Sequence, residues 1–109
     1  MIRVHLLGPI DIAIDGSPPP AAVMWRKHLG LCLLLWVSEG RRVSRDTAIG
    51  MLWGDRPERE ARHSLNEALR VIRRGFGADA VDSSTDLLRW VAPIEVDTDQ
   101  LLSAVQADP

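Results

Sequence analysis

A single cysteine, Cys32, stands in a chain of 109 residues. An internal disulfide is therefore excluded, and a place inside "LGLCLLLWV" suits a small core residue better than a nucleophile. Long apolar runs are also missing. The longest, Leu31 to Val37, falls far short of the roughly 18 residues that span a bilayer. The N-terminus lacks the basic-then-apolar order of a secretory signal, so the reading is a cytoplasmic chain with no membrane partner. No Gly-rich phosphate loop occurs, and "GDRPERE" lacks the Gly-Lys pairing of a nucleotide site. His5, His28 and His63 fall on different elements and share no ligand spacing, which argues against a metal. No Ser/His/Asp or paired-carboxylate set gathers on one face, and Ser44 and Asp46 are accounted for by helix capping. The expectation is a non-enzyme with no cofactor, no catalytic residue and no metal.

A strong basic balance is lacking too, because the formal net charge is −2. That total hides an asymmetry. Residues 1–75 carry 12 of the 13 Lys and Arg against 8 of the 15 Asp and Glu, a balance of +4. Residues 76–109 hold Arg89 against seven acids, a balance of −6. Such a split speaks of partners and not of fold.

The composition, 46% hydrophobic and 26% charged, is that of a globular domain. "IRVHLL" and "IDIAID" read as two strands, the second alternating Ile10, Ile12 and Ile14 with polar or small residues. "LGLCLLLWV" reads as a deeply buried helix ended by Gly40, with a buried strand as the lesser alternative, and Arg41 to Val43 as a short strand or bridge. Ser44 is placed to cap a second helix that stops at Gly54. Pro57 suits the first residue of a third helix, closed by Gly75 and Gly77. "ADAVD" and "LLRWV" bracket "SSTD" as a hairpin, and "DTDQLLSAV" opens one more helix. Trp25, Trp36 and Trp53 are spaced for core. Trp90 has two readings, as packing on the third helix or as an exposed anchor for a partner. Three helices closed by a two-stranded wing, after an N-terminal antiparallel strand pair, predict an α+β winged helix-turn-helix.

The third helix holds the candidate site. With Leu65 at zero and about 100° per residue, Ala61, Ala68, Leu69, Ile72 and Phe76 fall within about 60° of it. His63, Glu67, Arg70 and Arg74 fall opposite, with Arg62, Asn66 and Arg73 on one flank. Arg and Asn carry the forked donors and acceptors that match base edges in a major groove. Asn66 and Arg70 are the best base readers, with Arg62 and His63 nearer the N-terminal end that reaches deepest. Arg73 and Arg74 suit phosphates, and Arg45, with Arg41 and Arg42, would extend the basic strip. Periodicity alone leaves open an ordinary solvated helix face.

"VHLLGPIDIAIDG", "GRRVSRDTAIGMLWGD", "EREARHSLNEALRVIRRGFGAD" and "IEVDTDQLLSAV" together resemble the N-terminal domain of the SARP-type (Streptomyces antibiotic regulatory protein) bacterial transcriptional activators. The resemblance implies a DNA-binding domain over residues 1–93. It implies that residues 94–109 begin a linker or helix toward a further helical domain. It also implies that the helix at about 58–75 enters the major groove and that the hairpin matching Asp82–Trp90 is the wing. Side-by-side protomers on promoter direct repeats and contact with RNA polymerase, through the loop "WGDRPERE", come with it. The wing tip "DSSTD" lacks the basic residue that winged helices usually put there. The rival reading is a winged-helix interaction module that has lost DNA binding and holds a partner through the third helix or Trp90.

Overall fold

The computed structural model describes residues 1–99, and the helix expected from "DTDQLLSAV" lies mostly outside them. The chain divides into two units. One comprises Met1–Pro19 and the described residues from Pro93 onward, and the other Pro20–Ala92.

The first unit is a three-stranded sheet of order β2-β1-β6. β1 (Ile2–His5) and β2 (Asp11–Ile14) run antiparallel, with Val4 opposite Ile12. Strand β6 (Ile94–Val96) pairs parallel to β1, Val4 facing Val96. The alternation buries Ile2, Val4, Ile12 and Val96, the side-chain set that one sheet face collects. Ile10 lies before β2 and is exposed. Asp97 fastens the end of this sheet. Its carboxylate accepts from the backbone N–H of Leu6 at 2.9 Å and of Leu7 at 3.0 Å.

The second unit carries three α-helices: α1 (Arg26–Val37), α2 (Arg45–Trp53) and α3 (Glu58–Phe76). A sheet of order β3-β5-β4 accompanies them, from β3 (Arg42–Ser44), β4 (Val81–Asp82) and β5 (Leu87–Trp90). Helix α1 buries Leu31, Cys32, Leu35 and Trp36, and burial pushes the Cys32 thiol up to about 12. That value keeps it protonated and inert. Ser44 caps α2, its Oγ accepting from the Thr47 N–H at 3.0 Å. Helix α3 buries Ala61, Leu65, Ala68, Leu69 and Ile72 at three- and four-residue steps, as its apolar stripe requires.

Several expectations are corrected. Trp25 is not core. It precedes α1, is 63% exposed, and stacks on His28, whose ring Nδ1–H donates to the Ala22 carbonyl at 2.8 Å. Pro57 stands one residue before α3 with extended ψ, as its cap and not as its first residue. Gly75 lies inside α3, where a Cβ would come within 2.6 Å of Val23 Cγ2, and Gly77 at φ 120° ends the helix. Strand β6 had no counterpart in the sequence reading.

Candidate nucleic-acid interface

Helix α3 is a long helix with one buried and one polar side. Glu58 and Glu60 lie in its first turn and Arg73 and Arg74 in its last, each set matching the end of the macrodipole it occupies. The burial stripe turns Arg59, Arg62, His63, Asn66, Arg70 and Arg74 outward. Arg59, His63, Asn66, Arg70 and Arg74 recur at three- and four-residue intervals, so they run down one face.

Two arginines of this surface are held by acids on the same helix. Arg62 Nη2 donates to Glu58 at 2.6 Å, and Arg70 Nη2 to Glu67 at 2.8 Å. The Arg70 hydrogen bond, with the nearby Arg70, His63 and Arg74 charges, holds the Glu67 carboxyl below the ordinary range. The strip is therefore basic but interrupted by Glu67 at mid-length.

Arg73 and Arg45 face elsewhere. Arg73 Nη2 donates to the Val81 carbonyl at 3.0 Å and to Ser83 Oγ at 2.5 Å. Arg45, the first residue of α2, donates from Nη2 to the Ser83 carbonyl at 2.5 Å and from Nε to that of Thr85 at 3.2 Å. Its backbone N–H reaches the Asp86 carbonyl at 2.8 Å. Both arginines thus grip the wing tip, the segment 83–86 between β4 and β5. The hydroxyl and backbone N–H of Ser84 donate to Asp82 at 2.7 and 2.9 Å, and these bonds hold that carboxyl below its ordinary range. Arg89 lies opposite Asp82 across the hairpin, at 3.7 Å.

The structure brings Arg45, Arg62 and Asn66 together around a cleft of about 360 Å³, lined also by Ser44, Asp46, Ile49, Leu65 and Asp86. Arg62, His63 and Asn66 share a shallower depression with Glu58 and Arg59. Arg70 and Arg74 lie outside both. Sequence reasoning passed over Arg59, although its four-residue step to His63 puts it on the same face. It also missed Asp86 as a wall of the cleft, which depends on how the wing folds back toward α2 and α3.

Trp90 is 5% exposed and meets Trp36 and Phe76 edge to face, with centroids 5.3 and 5.2 Å away. The interaction-module reading thereby loses its aromatic anchor. Three helices, a two-stranded wing and an N-terminal strand pair make the chain an α+β winged helix-turn-helix.

No protein-family model matches the chain. The chain is 31% identical over 77 residues to the transcriptional regulatory protein EmbR of Mycobacterium bovis and of two strains of Mycobacterium tuberculosis. The match covers 71% of this chain and 19% of each relative, so the chain spans about a fifth of their length. Its relatives by sequence are thus transcriptional regulators. Among the described residues no helix is long and apolar enough to cross a membrane.

Proposed function

We propose that this chain is a sequence-specific DNA-binding module of a bacterial transcription regulator, an activator of the SARP type, with α3 in the major groove. The observation that carries the proposal is the outward strip of Arg59, His63, Asn66, Arg70 and Arg74 on a helix whose other side buries Ala61, Leu65, Ala68, Leu69 and Ile72. The likeness to transcriptional regulators supports it. A helix of this size fits a major groove, and Asn and Arg make bidentate contacts to adenine and guanine edges. Asn66 and Arg70 read bases, Arg62 and His63 assist toward the helix N-terminus, and Arg74 holds phosphate. Arg70 exchanges Glu67 for its base on docking. Side-by-side protomers on direct repeats, and RNA polymerase as a partner of the α2–α3 loop, extend the same reading.

Selection of bound sequences from a random duplex pool, at two salt concentrations, tests it. A recovered motif should lose about 1–3 kcal/mol with Asn66→Ala or Arg70→Ala, with relaxed preference at one position each. Arg74→Ala should weaken all duplexes alike and lower the salt slope by about 1. A recovered motif indifferent to all three changes contradicts the assignment of α3.

A further inference from the structure

We infer that Arg45 and Arg73 are positioning residues that set the wing against the α2–α3 surface, and are not phosphate contacts. The inference rests on the DNA-binding reading for its consequence, but the clamp itself is a property of the free protein.

The hairpin alone is too small to fix its tip. β4 pairs with β5 through two residue pairs, Val81 with Trp90 and Asp82 with Arg89, and so short a ribbon is at best marginally ordered in water. Beyond Asp82 the tip carbonyls of Ser83, Thr85 and Asp86 all accept from one residue, Arg45, through Nη2, Nε and the backbone N–H. Arg73 adds the Val81 carbonyl and the Ser83 hydroxyl from the other side, so Ser83 is gripped from both helices. A guanidinium does this because its donors are fixed in a planar fork, which one Arg can spread over two acceptors. A lysine keeps the charge and loses the fork. These bonds turn Nε and Nη2 of Arg45 and Nη2 of Arg73 to the wing tip. They also compensate for a tip, "DSSTD", that has no cation of its own to draw it to the duplex. The wing approaches DNA because it is already in place, which lowers the ordering cost of binding.

The 109-residue chain carries the test, with Arg45→Lys, Arg73→Lys, Ser83→Ala and the Arg73→Lys/Ser83→Ala pair. On the selected duplex each Lys variant should bind about tenfold more weakly, the loss of one charge-assisted bond. The slope of affinity against salt should stay at the wild-type value, because no charge is lost. Ser83→Ala and Arg73→Lys should be non-additive, since they cut the same bond. In the free protein, amide exchange at Arg45 and at residues 84–87 should speed up while the melting temperature holds. Lysine variants that bind as wild type, beside Arg45→Ala and Arg73→Ala variants that each lower the salt slope by about 1, would overturn the inference in favour of phosphate contact. If no duplex binds, the DNA reading fails. The exchange experiment still decides the clamp, and unchanged wing-tip exchange in all variants overturns it.

Discussion

Trp36, Phe76 and Trp90 meet edge to face, with centroid separations between 5.2 and 5.8 Å. Three rings from α1, α3 and β5 thus form one cluster, and each edge-to-face pair adds about 0.5–1.5 kcal/mol beyond area burial. Trp90→Ala should therefore cost about 3–5 kcal/mol, in the same class as buried Trp53→Ala. Chemical denaturation of both variants checks this, and a Trp90→Ala protein as stable as wild type would mean the ring packs elsewhere. Asp97 makes a second prediction. The N–H groups of Leu6 and Leu7 donate to its carboxylate and, with His5 nearby, hold its carboxyl below the ordinary range. Its contribution is thus fully present above the unfolded value of about 3.9 and is lost as pH falls through the lower folded value. Asp97→Asn should flatten the fall of melting temperature in acid, and an unaltered acid profile would contradict it. The sequence showed which tryptophans exist but not their partners. Trp25 and Trp36 sit in the same apolar neighbourhood of sequence. Only the start of α1, one residue after Trp25, decides that one ring is exposed and the other buried.

Two glycines inside helices separate backbone propensity from packing. A Cβ added at Gly50 in α2 would have nothing within 4 Å, whereas at Gly75 in α3 the same carbon would meet fully buried Val23 at 2.6 Å. Alanine at 50 should stabilise by about 0.5–1 kcal/mol through helix propensity alone. Alanine at 75 should destabilise by about 1–3 kcal/mol, because overpacking outweighs that gain. Thermal melts of the two variants should shift in opposite directions, and a shared sign would refute the close approach of α3 to residues 20–24. At this scale α3 was legible nearly in full, because its apolar stripe repeats through five turns and needs no distant partner. The wing hairpin was legible from its turn residues. Strand β6 was not, since three residues, Ile94–Val96, carry too little alternation to announce a parallel pairing with β1 near the other end of the chain. The face of α3 that carries the candidate site was legible from the wheel. The withdrawal of Arg73 from that face was not, because its acceptors Val81 and Ser83 come from the hairpin that follows.

Charge sorts by unit more cleanly than by position along the chain. Pro20–Ala92 holds 12 basic against 9 acidic residues, a balance of +3. Over the described residues the sheet unit holds Arg3 against Asp11, Asp15, Glu95, Asp97 and Asp99, a balance of −4. The helical unit is thus the electropositive one, which is where a polyanion would be met. Within it the wing's two acids are unequal. Asp82 is engaged by Ser84 and faces Arg89, with Arg73 close enough to stabilise its charge. Asp86 instead lines the cleft with Arg45, Arg62 and Asn66, beside the surface proposed to meet the duplex. If α3 docks as proposed, a carboxylate there would lie within roughly a Debye length, about 8–10 Å, of the nearest phosphates and would be only partly screened. A single chain on a single site should accordingly bind weakly, in the micromolar range of non-specific contacts. Asp86→Arg should tighten binding at low salt and steepen its salt dependence by about 1. Asp82→Arg should gain less, because it removes the Ser84 bonds and sets two arginines opposite each other across the hairpin, loosening the wing it was meant to charge. Affinity measured at two salt concentrations for both variants decides the matter. Equal gains would show that the wing's local bonds do not govern its charge, and no gain from Asp86→Arg at low salt would show that the wing does not approach DNA.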